Sequence, residues 1–169
     1  MDADATHVIH VDHMLINEQL LKYIGGKKNM AEFIANAVQL VAANQNIIFT
    51  DTTVSGNNSI VHRDDSGLVT LRGITCQCRA RFKLTFGANI AVPTGGTVEP
   101  ITVAISINGE PVASSTMIST PAAVEEYNNV GRTVLVDVPA GCCAYIGVKN
   151  TSTQSINVQN ATLLVERIA

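Results

Sequence analysis

The segment ITVAISINGEPVASS, residues 101–115, decides the fold of this chain. Two β-rich runs flank Asn108 and Gly109, and both residue types accept the positive φ that the central positions of a type I′ turn require. A two-residue connection of this kind joins adjacent antiparallel strands. The segment therefore predicts a β-hairpin, and with it a sheet.

The same pattern extends beyond the hairpin, because short apolar runs alternate with turn residues through most of the chain after Asn44. Eight or more short strands at this spacing predict an all-β fold, a jelly-roll β-sandwich, in residues 45–169. The expected strands lie near residues 46–53, 59–63, 67–73, 76–90, 100–107, 111–119, 132–138, 142–149 and 155–168.

Residues 1–44 predict an N-terminal arm followed by helices. After the polar residues 1–16, Asn17 can cap a short helix that stops at Gly25 and Gly26. Three apolar residues of this helix would share one side: Leu20, Leu21 and Ile24. A second helix is expected to start at Asn29, since apolar residues recur at helical spacing: Met30, Phe33, Ile34, Ala37, Val38 and Val41. This segment would pack on its own domain, on a sister subunit or on another protein.

Charged side chains make up only 15% of the chain, against roughly 25% in an average soluble domain. A monomer with so few charges would be poorly solvated, so we expect other copies or other proteins to cover much of its surface. The net charge of −3 offers no basic field for nucleic acid. No apolar run reaches the roughly 20 residues of a membrane span. Residues 85–160 carry seven charges: Glu99, Glu110, Glu125, Glu126, Arg132, Asp137 and Lys149.

Four cysteines raise the question of a thiol site. Cys76 and Cys78 would point to one face of an amphipathic strand, which predicts two buried thiols. Cys142 and Cys143 would point to opposite faces, so they cannot jointly hold a tetrahedral ion without a kink. Packing is the favoured role for all four, since a free cysteine behaves as a small hydrophobe. Metal binding or redox chemistry is the alternative.

The histidines at positions 7, 10 and 13 are the strongest metal candidates in the sequence. On a helix, His7, His10 and His13 would share a face and could hold a divalent ion, or threefold assembly could bring copies together on an axis. The competing interpretation is a solvated arm that orders only against a partner. We favour the arm and expect no bound metal.

Two further groups contain catalytic residue types without a catalytic arrangement. His62, Asp64 and Ser66 are the residue types of a catalytic triad, but they lie within one expected turn instead of being brought together from distant parts of the chain. The same turn offers too few oxygen ligands for a calcium-binding loop. The acids Glu125 and Glu126 lie in an expected loop, in a chain with no Trp to stack on sugar. The sequence therefore predicts no catalytic, cofactor-binding or metal-binding residues, and no enzyme.

Three segments together resemble a known family. NIIFTDTTVSGNNSIVHRDDSGLVTLRGI (residues 46–74) resembles the opening strands of tumour-necrosis-factor-like trimeric jelly-roll domains, and ITVAISINGEPVASSTMIST (residues 101–120) resembles their central hairpin. VLVDVPAGCCAYIGVKNTSTQSINVQNATLLVERIA (residues 134–169) resembles their C-terminal half. Such domains occur in phage structural proteins and in spore-surface collagen-like glycoproteins. No collagen-like stalk is present in this chain.

The resemblance implies a homotrimer whose N-terminal segment attaches it to a particle. We expect a phage virion structural protein: a capsid decoration protein, head fibre or tail protein that contacts the capsid or another virion protein through residues 1–43. The N-terminus shows no secretory leader, so synthesis in the host bacterial cytoplasm is expected. The alternative is an adhesin for a receptor or host surface glycan, with loops 55–58, 93–99 and 120–131 exposed at one end.

Overall fold

Twelve β-strands make up most of residues 29–169, the part of the chain that the computed structural model describes. A single 3-10 turn, Ala113–Ser115, lies between β8 and β9. The strands in chain order are β1 (Met30–Ala35), β2 (Gln39–Val41), β3 (Asp51–Val54), β4 (Ile60–His62), β5 (Val69–Arg72), β6 (Arg79–Ala91), β7 (Ile101–Ile107), β8 (Glu110–Pro111), β9 (Met117–Ser119), β10 (Asn128–Pro139), β11 (Cys143–Asn150) and β12 (Ile156–Arg167).

The strands form two antiparallel six-stranded sheets packed as a sandwich. The first sheet has the order β10-β6-β12-β1-β3, with β2 also paired to β12. The second has the order β4-β5-β11-β7-β8, with β9 also paired to β7. Strands that are neighbours in sequence repeatedly fall in different sheets, as in the steps from β5 to β6 and from β10 to β11. This topology confirms the expected jelly roll.

The core lies between the sheets and contains every phenylalanine of the chain. Phe33, Phe49, Phe82 and Phe86 are each no more than 1% exposed. On β6, alternate residues point inward, so that Ala80, Phe82, Leu84 and Phe86 are buried while Arg81 and Lys83 face out. Burial of apolar surface, at about 25 cal/mol per Å², is the main force that holds the two sheets together.

The hairpin expected at residues 101–111 is confirmed. Strands β7 and β8 pair through Ile107 and Glu110, and Asn108 and Gly109 have φ values of 54° and 88°. Both values lie in the left-handed region that a type I′ turn needs. The turn is also fixed to β11, because the Tyr145 N–H donates to Asn108 Oδ1 at 2.9 Å.

The twelve-residue strand β12 separates the two ends of the sandwich. The upper end consists of loops 92–99, 120–127 and 151–155, near Ile156. The lower end consists of Asn29, loops 55–59, 73–78 and 139–142, and residues 167–169.

The helix expected from Asn29 is wrong. Residues 30–35 and 39–41 form strands β1 and β2, and β1 lies between β12 and β3. Ala31, Phe33 and Ala35 are buried, whereas Met30 and Val38, which belonged to the expected helical stripe, are exposed. Pairing with β12 outweighs the local spacing, because it satisfies the backbone of β1 and buries Phe33. The sandwich therefore includes β1 and β2, which lie within the N-terminal segment expected to consist of an arm and helices.

Two other expected strands are shorter or interrupted. In the stretch 46–53 only β3 is regular, and Asn46 and Phe49 make isolated bridges to Lys149 and Ser66. The stretch 111–119 is divided into β8, a 3-10 turn and β9. The polar arm, the helix at Asn17 and the three N-terminal histidines lie outside the described residues.

Candidate functional site

The outer face of the first sheet has an uncharged centre. Cross-strand register aligns Thr85 with Thr133 and Gly87 with Gly131, and β12 continues both rows. The two threonine hydroxyls lie 3.0 Å apart. We call the following nine residues on β6, β10 and β12 the neutral face: Thr85, Thr133, Leu164, Gly87, Gly131, Thr162, Asn89, Asn129 and Gln159.

Charged residues border the neutral face on its lower side, where they pair with one another. Arg81 and Asp137 are cross-strand partners, with Nε to Oδ1 at 2.7 Å and Nη2 to Oδ2 at 2.9 Å. Arg79 Nε lies 3.3 Å from Asp137 Oδ2, and Lys83 Nζ lies 2.6 Å from Glu166 Oε2. The hydrogen bonds from Arg81 lower the pKa of Asp137, and Asp137 in turn raises the pKa of Arg81.

An uncharged surface that is bordered by paired charges suits contact with another copy of the chain. Burying an unpaired charge costs far more than burying an uncharged hydroxyl or amide group that keeps a hydrogen-bond partner. Gly87 and Gly131, side by side within this face, would let another surface approach the backbone closely. The face became visible only with the β6–β10 register, because no local sequence pattern specifies which residues of distant strands lie side by side.

The adjacent acids Glu125 and Glu126 hold the upper loops together. Glu125 Oε1 accepts the Thr94 N–H at 2.8 Å and an Asn157 amide hydrogen at 3.1 Å. Glu126 Oε2 accepts the Ala122 N–H at 2.8 Å. Both carboxylates therefore stabilise the upper loops through hydrogen bonds, a role that the sequence alone did not indicate.

The expected grouping of three loops at one end is wrong. Loops 93–99 and 120–127 do share the upper end, joined through Thr94 and Glu125. Loop 55–58 lies at the lower end, where the Asn57 amide donates to Asn29 Oδ1 at 3.4 Å. Residues 128–131 are part of β10.

The cysteines are also placed differently from the expectation, because all four are exposed. Strand β6 begins at Arg79, so Cys76 and Cys78 lie in the loop before it. That loop runs beside turn 139–142, with the Gly73 N–H donating to the Cys142 carbonyl at 2.8 Å. Among residues 29–169, no group of three or more His, Cys, Asp or Glu side chains is arranged to hold a metal ion.

The side chain of His62 is buried and has a structural role. Its ring packs against Phe33 with a centroid distance of 4.5 Å, and its side chain is only 1% exposed. The Nε2 atom lies 3.1 Å from the Ser66 carbonyl, whereas the Ser66 hydroxyl accepts the Leu68 N–H at 3.1 Å. The hydroxyl therefore bonds within its own turn. Asp64 Oδ1 accepts the Thr52 hydroxyl at 2.8 Å, so these side chains fix the turn between β4 and β5.

The described part of the chain has no helix of the length and hydropathy needed to cross a membrane. A scan against known protein families finds no matching model, and no curated protein matches the sequence.

Solved structures do match. The chain is similar to the globular domain of zebrafish complement 1qA protein, with a TM-score of 0.59, 12% identity, and coverage of 84% of this chain and 98% of that one. It is similar to Eiger TNF from S. frugiperda, with a TM-score of 0.62, 10% identity, and coverage of 85% and 94%. Murine APRIL at pH 5.0 gives a TM-score of 0.56, 10% identity, and coverage of 81% and 98%. At these identities the likeness concerns the fold, which is a jelly roll of the tumour-necrosis-factor and complement 1q type.

Proposed function

We propose that this chain is a non-enzymatic structural protein of a phage virion, a homotrimer that assembles through the neutral face. The observation that carries the proposal is the absence of charge across three rows of β6, β10 and β12. In a threefold ring each copy contacts its neighbours through two different patches, so part of the neutral face of one copy would lie against an adjoining surface of the next. The fold likeness to tumour-necrosis-factor and complement 1q domains supports the same arrangement.

The attachment function is proposed for the N-terminal segment. The described residues begin at Asn29, at the lower end of the sandwich, so residues 1–28 join the jelly roll at that end. The upper loops are then directed away from the attachment point. This polarity fits a capsid decoration protein, head fibre or tail protein.

Light scattering tests the trimer with a matched pair of variants. We expect the purified chain to have three times the 17.9 kDa mass of one copy. Thr133→Lys places a charge in the neutral face and is expected to lower the mass to that of one copy. Thr70→Lys, on the outer face of the second sheet, is the control and leaves the trimer intact. A single-copy mass for the unchanged chain would reject the proposal.

Particle composition tests the virion assignment separately. Mass spectrometry of purified particles of the encoding phage is expected to detect the chain in a fixed ratio to the major capsid protein. Recombinant chain, added to particles that lack it, is expected to bind only when residues 1–28 are present. Absence from the particles would reject the virion function while leaving the trimer standing.

An adhesin is the second candidate, favoured by a groove of about 340 Å³ at the upper end. Its lining combines Leu40 with polar groups of loop 93–97 and Gln154. Gln154 bonds both the N–H and the carbonyl of Thr97, which holds the groove open. Reproducible glycan-array signals that disappear in a Gln154→Ala variant would support adhesion, and an empty array would argue against it.

A further inference from the structure

A groove of about 370 Å³ lies at the lower end, where the described residues begin. Its surface includes Ile74 and Ile168, which are 52% and 46% exposed. Cys76, also exposed, lines the same groove. These two aliphatic side chains and the thiol form the apolar part of the lining, and Asn29, Thr75 and Arg167 form its polar part.

The groove is held in shape by Arg167. Its Nη1 atom donates to the Ile74 carbonyl at 2.8 Å, and its Nε atom donates to the Ala169 carbonyl at 3.2 Å. The guanidinium thus ties loop 73–78 to the end of β12. Because these bonds fix both walls, the groove is preformed and does not need to open to accept an apolar segment.

Chain connectivity limits what can reach this groove most easily. Asn29 lines it, and only residues 25–28 separate Asn29 from Ile24. Even when fully extended, this connection spans no more than about 18 Å. This length is short enough to bring Ile24 within reach of the lower end. The short connection also gives the preceding residues a local concentration in the millimolar range, which no free partner matches.

The residues that are held there have matching chemistry. The sequence predicts a short helix after Asn17 with Leu20, Leu21 and Ile24 on one side. We propose that this apolar side of residues 17–24 docks in the groove of the same chain, against Ile74, Ile168 and Cys76. The inference does not depend on the virion proposal, because it concerns the isolated chain.

Thiol labelling tests the docking directly, since Cys76 lies in the groove and Cys143, at the start of β11, does not line it. Two versions of the full chain would each keep a single cysteine, Cys76 or Cys143, with the other three changed to serine. Each is labelled with N-ethylmaleimide, and the rate is followed by mass spectrometry. In each version, Leu21→Asp with Ile24→Asp disrupts the apolar side, and Gln19→Asp, which adds one negative charge outside that side, is the control.

We expect the Leu21→Asp/Ile24→Asp change to raise the labelling rate of Cys76 about tenfold. This factor applies if the docked segment covers the groove about nine-tenths of the time, so that the thiol of the parent is accessible for about one-tenth of the time. Gln19→Asp should leave the Cys76 rate unchanged, and the Cys143 rate should be the same in all versions. Ile168→Asp, a change on the groove side, should also expose Cys76. Equal Cys76 rates in the parent and the double variant would overturn the proposal. Protection that disappears on about a hundredfold dilution would assign the groove to a second copy and would also overturn it.

Discussion

Arg81 on β6 and Asp137 on β10 are cross-strand partners and form a bidentate ion pair, with donor–acceptor distances of 2.7 and 2.9 Å. Such paired bonds fix both the planar guanidinium and the carboxylate. The pair closes the lower border of the neutral face. The hydrogen bonds from Arg81 lower the pKa of the Asp137 carboxyl group.

The lowered pKa of Asp137 predicts a specific acid sensitivity. Its contribution to stability is complete above the unfolded value of about 3.9 and is lost as the pH falls through the lower folded value. The thermal midpoint of the unchanged chain should therefore exceed that of Asp137→Asn at pH 5 to 7, and the difference should shrink steadily below about pH 4.

Thermal unfolding at a fixed protein concentration provides the measurement, because association also shifts the midpoint. Asp65→Asn removes a negative charge from an exposed turn and is the control. A difference between the parent and Asp137→Asn that persists unchanged to pH 2 would contradict the assignment.

The core predicts a large effect at Phe86, which is 1% exposed near the middle of β6. Phe86→Ala should lower the free energy of unfolding by about 3–5 kcal/mol, since it removes buried apolar surface and leaves a cavity. Ile118→Ala, at a site that is 65% exposed, should cost less than about 1 kcal/mol. Urea unfolding measures both, and equal costs would show that Phe86 is not in the core.

Some of this fold was predictable because the decisive signals are local. The Asn108-Gly109 pair specifies its turn through two adjacent φ values, and the alternation along β6 specifies its buried side. The helix predicted from Asn29 was wrong for the opposite reason, because the deciding contacts are not local. Its apolar spacing suits a helix as well as a strand, and the choice is made by β12, more than 100 residues away.

The candidate surfaces depended on non-local geometry in the same way. The cysteines looked buried because the alternation of β6 was extended back past Arg79, but the close approach of turn 139–142 turns that segment into a loop. The neutral face required the register of three strands that are far apart in sequence. Its low charge was visible in the composition, but its position was not.

The close contact at the lower end predicts that Gly73 tolerates no side chain. A Cβ atom there would lie 2.0 Å from the Pro139 carbonyl oxygen, so loop 73–78 and turn 139–142 would have to separate. Gly73→Ala should cost about 3 kcal/mol or more. Gln77→Ala, an exposed position in the same loop, is the control. A near-neutral Gly73→Ala in urea unfolding would contradict this packing.

The hairpin predicts a smaller cost at Gly109, and for a different reason. Its φ of 88° lies in the left-handed region, yet a Cβ atom would meet nothing within 4 Å, so strain is the only penalty. Gly109→Ala should therefore lower the free energy of unfolding by about 1 kcal/mol, which is the usual strain of a residue with a Cβ atom in this conformation. Ser114→Ala, a nearby exposed position, should be within about 0.5 kcal/mol of the parent. If Gly109→Ala proved as costly as Gly73→Ala, the turn would have to be buried, since backbone strain alone does not reach that value.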